Sequence, residues 1–172
     1  MARMKIILVI ALTVDGKIGL SSEHFPDWTE LADKQMFKRI SKESGVIIMG
    51  SKTFDTLDKP LPDRKHVVLT RKKHRRSETA QVEFTAKSPA EIVADLEAQG
   101  YSQAVLGGGS RVNFLFAQAG LIDEILVTFS PKIFGAGLSL FSDQIQMNLA
   151  LLETGTIGEH TVFARYQVIR SR

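Results

Sequence analysis

Val46-Ile47-Ile48-Met49-Gly50-Ser51-Lys52-Thr53 opens on a short apolar run, reaches a glycine, and continues with hydroxyl and cationic residues. A run this short and this rich in β-branched residues reads as a strand buried on both faces, as in parallel sheets. The glycine and the residues after it suit a turn into a helix. Ala104-Val105-Leu106-Gly107-Gly108-Gly109 repeats the arrangement, and His66–Thr70 followed by Arg71 offers it a third time. Strands alternating with helices predict an α/β sheet with helices packed on its faces.

Working outward, the strand candidates are Lys5–Leu12, Val46–Met49, His66–Thr70, Val82–Phe84, Gln103–Leu106, Glu124–Phe129, Leu151–Thr156 and Thr161–Ile169. The first five are expected to be mostly parallel. The last two, close together around Gly158, predict a C-terminal antiparallel hairpin. Helices are expected over Glu30–Lys42, from about Ser51, over Pro89–Ala98 and over Arg111–Ala117. The third carries the clearest start signal: a capping Ser88, then Pro89 at the first helical position and Glu91 to close a capping box, with Gly100 as its stop.

The bulk composition fits one domain over residues 1–172, with 44% hydrophobic and 24% charged residues, enough to bury a substantial core. The absence of cysteine excludes disulfides, thiolate metal sites and a cysteine nucleophile, and no other metal-ligand set stands out. The N-terminal Met1-Ala2-Arg3-Met4 followed by Ile6–Leu12 superficially resembles a secretory signal. Its run is short, and Asp15 and Lys17 follow without a small-residue cleavage site, so a strand is expected. No segment approaches the length of a membrane span, and a cytoplasmic location is expected. The net charge of +3 gives no global argument for nucleic acid. Within the basic run Arg71 to Arg76, Lys72 to Arg76 read as a solvated loop.

Asp33 is the most informative single residue. Met36, Phe37 and Ile40 lie three, four and seven positions after it, so all four share one helical stripe, while Gln35, Lys38, Arg39 and Lys42 form the solvated side. A carboxylate on a core-facing stripe needs hydrogen-bonding partners. It is either a structural ion pair or a pocket residue gripping N–H donors of a ligand. In a pocket, desolvation would raise its pKa and suit it to proton chemistry. Gly107, Gly108 and Gly109 at a strand end, before a helix start, let a phosphate approach the backbone, although the spacing is not GxGxxG. Three strand ends of this kind imply one extended anionic ligand across the sheet's carboxyl edge, with Lys52 and Arg71 suited to a 2′-phosphorylated dinucleotide.

Together these stretches resemble dihydrofolate reductase over most of the chain. Val14–Gly19 resembles the start of that family's mobile active-site loop; Pro26-Asp27-Trp28, Ala32-Asp33 and Phe37-Lys38-Arg39 resemble its P-W…A-D…F-K-R stretch. Val46–Gly50 with Thr53-Phe54, and Pro60–Lys65 with Leu69-Thr70-Arg71, match two further motifs. The resemblance implies a mostly parallel sheet, NADPH as cofactor, and reduction of dihydrofolate. It implies that Asp33 is catalytic, pairing with the pterin 2-amino group and N3 and assisting protonation at N5. Val9, Trp28, Lys34 and Phe37 would line the substrate site, Arg64 would hold the glutamate tail, and Thr128 would support Asp33. Ala11, Ile18 and Gly19 would flank the nicotinamide. Gly50, Ser51, Lys52, Thr53, Leu69, Thr70 and Arg71 would hold the adenosine phosphates. Leu106, Gly107, Gly108, Gly109, Ser110 and Arg111 would underlie the pyrophosphate and nicotinamide.

Some residues depart from that pattern. The tyrosine usual after the glycines is absent, with Ser110-Arg111-Val112 in its place, and Lys34 stands where an apolar residue is usual. Asp15–Ile18, Asp123-Glu124 and Ser130–Gly137 are similar to the reductase domain of riboflavin biosynthesis, which shares the fold. That similarity implies a ribosylaminopyrimidine phosphate as substrate, with Lys34 as a phosphate ligand. A third reading, a non-catalytic nucleotide- or nucleic-acid-binding protein using Arg71 to Arg76, leaves Asp33 and the glycines unexplained; a pseudoenzyme binding NADPH without turnover is a fourth. The expected partner is a small pterin or pyrimidine, with no nucleic acid or membrane, on a monomer or homodimer.

Overall fold

The computed structural model describes residues 3–170. In chain order the elements are β1 (Lys5–Thr13), β2 (Lys17–Gly19), α1 (Leu31–Ser44), β3 (Val46–Gly50), α2 (Ser51–Phe54), β4 (Lys65–Leu69), β5 (Val82–Thr85), α3 (Pro89–Ala98), β6 (Gln103–Leu106), α4 (Ser110–Gln118), β7 (Glu124–Ser130), β8 (Leu138–Ser139), β9 (Asn148–Ile157) and β10 (Thr161–Ile169). Eight strands form one sheet in the order β5-β4-β3-β6-β1-β7-β10-β9. All neighbours from β5 through β7 run parallel; β10 is antiparallel to both β7 and β9. The parallel sheet and the C-terminal hairpin are thus as the sequence predicts.

The apolar strands bury both faces because alternate residues point to opposite sides. On β1, Ile6 and Leu8 enter one core while Ile7 and Val9 enter the other; on β3, Val46 and Ile48 oppose Ile47 and Met49 in the same way. Met36, Phe37 and Ile40 of α1 and Phe54 of α2 cover the second core. Ile92, Val93 and Leu96 of α3, with Val112 and Phe116 of α4, fill the first. Burial of a Val- to Phe-sized side chain stabilises the fold by about 1.5–3 kcal/mol relative to exposure. These paired apolar layers hold the strand ends, and hence the site, in place.

Helix α1 runs two residues past its expected end and stops at Gly45, whose φ of 75° takes the left-handed C-cap conformation. The capping box of α3 forms as read, with Ser88 and Glu91 bonding each other's backbone N–H. Strands β2 and β8 were not expected, because three- and two-residue strands carry no readable period. Their pairing needs Gly137, where an added Cβ would lie 2.4 Å from the Gly19 carbonyl oxygen. Strand β9 extends beyond the expected range at both ends. Most of its residues are exposed, so it lacks a marked buried face.

The basic run corrects one expectation. Arg75 is not simply solvated: its guanidinium lies 4.3 Å from the Phe84 ring centre and forms a two-pronged ion pair with Asp55. Arg71, Lys72, Lys73, His74 and Arg76 are exposed.

Candidate active site

A cavity of about 960 Å³ opens along the carboxyl ends of the parallel strands, bounded by α1, α2, the start of α4 and the segment between β2 and α1. This is where ligands lie in open α/β sheets. Asp33, in the first turn of α1, lines it together with Trp28, Lys34, Phe37 and Val9.

Thr128 lies beneath Asp33 on β7. It is 2% exposed, and its Oγ1 donates to Asp33 Oδ1 over 2.5 Å. Burial raises the Asp33 pKa above the ordinary carboxylate value. The Thr128 bond, the nearby Thr29 hydroxyl and the charge of Lys34 pull in the opposite direction without cancelling it. Thr29 Oγ1 is itself buried without a hydrogen bond that satisfies normal geometry, as is Trp28 Nε1. A half-buried carboxyl with its proton affinity raised, on the wall of a cavity, is suited to a ligand carrying N–H donors.

Arg64 does not line the cavity. It is 7% exposed; its Nε donates to the Pro62 carbonyl, and its Nη1 donates to the Lys38 carbonyl and Ser41 Oγ. The guanidinium therefore ties α1 to the segment preceding β4. The cations on the cavity wall near this end are Lys34, Lys38 and Lys59, of which only Lys34 was singled out from sequence.

At the other end the wall includes Ala11, Ile18, Gly50, Ser51, Lys52 and Thr53. It continues through Leu69, Thr70, Arg71, Gly107 and Gly109 to Ser110 and Arg111. The structure places Gly19, Leu106 and Gly108 off the wall: Gly19 pairs β2 with β8, Leu106 is fully buried, and the Gly108 carbonyl accepts from Gly50 N. Strand ends β3 and β6 are stitched at this point, since Gly107 N also donates to the Ile48 carbonyl. A Cβ on Gly50 would lie 3.1 Å from Val112 Cγ2, and one on Gly109 3.3 Å from Thr53 Oγ1. Glycine thus lets the ends of β3 and β6 and the start of α4 pack closely here. Gly109 also begins α4 with no side-chain cap, leaving amides free for an anion. Lys52, Arg71, Arg111 and Lys87 add positive charge, Lys87 having escaped the sequence reading. Asp33 and Asp58 are the carboxylates among the described lining residues.

His24 and Trp28 line the cavity and are backed by a third aromatic ring that does not itself line it. Phe134 meets Trp28 edge-on at 5.3 Å and His24 at 5.7 Å, and Asp15 holds the Phe134 segment by accepting from Phe134 N and Gly135 N at 3.2 and 2.7 Å. His24 gave no sequence signal because it belongs to no periodic element, and Phe134 entered only within the Ser130–Gly137 stretch, with no role given to it. No cluster of metal-ligating side chains occurs among the described residues, and no described helix is long and apolar enough to cross a membrane.

The family model of the RibD C-terminal domain matches residues 4–163. The chain belongs to that family. It is also 34% identical to the type 9 dihydrofolate reductase of Escherichia coli over 127 residues, covering 70% of this chain and 67% of that enzyme. Similarity to a bifunctional dihydrofolate reductase-thymidylate synthase of Paramecium tetraurelia, 42% over 65 residues, spans 13% of that longer protein. Among solved structures, a pyrimidine reductase-like protein of Corynebacterium diphtheriae shares the fold with a TM-score of 0.79 and 16% identity, covering 98% of this chain and 93% of that one. Dihydrofolate reductase of Enterococcus faecalis, solved with NADP(H), matches with a TM-score of 0.73 and 23% identity, covering 97% and 99%. These relatives support an oxidoreductase.

Proposed function

We propose that the chain is an NADPH-dependent reductase acting on the pterin ring of dihydrofolate. The observation that carries the reading is the Asp33–Thr128 pair at the inner end of the cavity: a half-buried carboxyl on the cavity wall, anchored by the Thr128 hydroxyl with the Thr29 hydroxyl nearby. A carboxyl held so can accept two N–H bonds from an aminopyrimidine edge, and its raised pKa lets it keep a proton available to the ring.

The residues at the opposite end fit a phosphorylated dinucleotide, with Gly50 and Gly109 on the wall, uncapped α4 amides and the cations Lys52, Arg71 and Arg111. When bound, NADPH supplies the hydride. Arg71 and Lys52 would hold the phosphates, while Ala11 and Ile18 would flank the nicotinamide. Phe37, Leu57 and Leu61 would pack on the pterin and its linker, fixing ring against ring and excluding water. Asp33 would orient the ring and relay the proton.

A second reading, reduction of a ribosylaminopyrimidine phosphate, is supported by Lys34, Lys38 and Lys59 at the cavity mouth and by the prior engagement of Arg64 with three protein acceptors. Following NADPH oxidation with dihydrofolate and with that pyrimidine in parallel separates the two. Turnover of dihydrofolate supports the first reading. Turnover of the pyrimidine alone moves the assignment to the second, and turnover of neither overturns both.

A further inference from the structure

Glu30 occupies the residue just before α1, and its carbonyl begins the helix by accepting from Lys34 N. Its side chain makes no capping bond, and glutamate is not among the residues favoured there. The carboxylate turns instead to the β9–β10 turn. Oε1 accepts from His160 N at 3.1 Å, and Oε2 accepts from Thr161 Oγ1 at 2.8 Å. Thr161 is fully buried. The turn is shaped to admit this carboxylate: at Gly158, with φ of 60°, an added Cβ would lie 2.4 Å from Glu30 Oε2 and 3.2 Å from Ala32 Cβ.

These bonds fall on the same strands that hold Asp33. On β10, Phe163 pairs in register with Thr128 of β7, the residue bonded to Asp33, and Thr161 lies two residues earlier. The first turn of α1 is therefore fastened to the sheet at two points one helical turn apart, Asp33 to β7 and Glu30 to the hairpin. We propose that Glu30 is a positioning residue: fastening α1 to the hairpin turn fixes how deeply the Asp33 carboxyl sits and how little water reaches it.

Loss of the clamp lets the turn of α1 lift and water enter, and a better-solvated carboxyl titrates closer to its ordinary range. Lys34 is the charged neighbour acting on Asp33 from its own helix, β7 presents the uncharged Thr128, and the hairpin side carries Glu30, Glu159 and His160.

The test is a carboxyl 13C NMR titration of the intact protein, with the Asp33 signal assigned by its loss in Asp33→Asn. The Asp33 midpoint is expected to fall by about half a pH unit or more in Glu30→Ala. It should move the same way, by less, in Thr161→Val, and stay near wild type in Glu30→Gln, whose amide oxygen still accepts. Equal shifts in Glu30→Gln and Glu30→Ala would reduce the effect to lost charge and overturn the clamp. A lower melting temperature with an unmoved Asp33 midpoint would also overturn it, leaving only a structural role. Should Glu30→Ala not fold, Thr161→Val decides alone. The inference rests on Asp33 as the ligand-facing carboxyl. That reading fails on turnover by Asp33→Asn, whereas the clamp fails on a titration that needs no substrate.

Discussion

Thr128 and Asp33 stand 95 residues apart in the chain and meet through a 2.5 Å hydrogen bond that joins β7 to the first turn of α1. The bond holds a carboxyl where burial favours its protonated form. Such a group contributes stability at low pH that is lost as pH rises through its raised folded-state pKa. Asp33→Asn should therefore raise the melting temperature at pH 7–8, with the gain shrinking as pH falls to the ordinary carboxylate range. Thermal melts of both proteins across pH check this; a destabilised Asn variant at neutral pH would contradict it.

His66 shows the opposite sign. It is fully buried, its Nε2 accepts from Leu61 N, and burial pushes its pKa down. The neutral ring is favoured in the fold, so stability is present above the unfolded-state pKa of about 6.5 and is lost as pH falls toward the lower folded value. Urea midpoints should decline over that window in the wild type and flatten in His66→Gln, which keeps an acceptor.

Asp15 fastens the segment that places Phe134 against Trp28, the one tryptophan in the chain. Asp15→Ala should release that contact, shift Trp28 emission to longer wavelength and weaken substrate binding more than it slows turnover. Unchanged emission would show that Phe134 is held by packing alone.

Arg75→Ala removes the contact with Phe84 and the ion pair with Asp55. A loss of about 1 kcal/mol is expected, or about 2–4 °C in melting temperature. Lys73→Ala, at an exposed neighbour, should stay within about 0.5 kcal/mol of wild type. Equal effects would return Arg75 to the solvated loop.

Much of this was legible in the sequence because the relevant signals are local. Short β-branched runs ending in glycine marked β3 and β6, and the Ser88-Pro89-Glu91 box marked α3 to the residue. The spacing of Asp33 from Met36, Phe37 and Ile40 put a carboxyl on the packed side of α1. What escaped depends on contacts distant in the chain. The partners of Arg64, the stacking of Arg75 and the meeting of Phe134 with Trp28 arise only once loops are folded against each other. Glu30 read as an ordinary helix-start residue, since its partners lie 130 positions away.

The account turns on Asp33, and the most direct measurement is steady-state NADPH oxidation by the wild type and Asp33→Asn, each with dihydrofolate over a range of pH. Wild-type turnover that falls as pH rises past the raised pKa of Asp33, and a loss of about 10²-fold or more in the Asn variant, is the expected result. Turnover by Asp33→Asn at the wild-type rate and with the same pH profile would contradict the assignment of Asp33 to proton delivery.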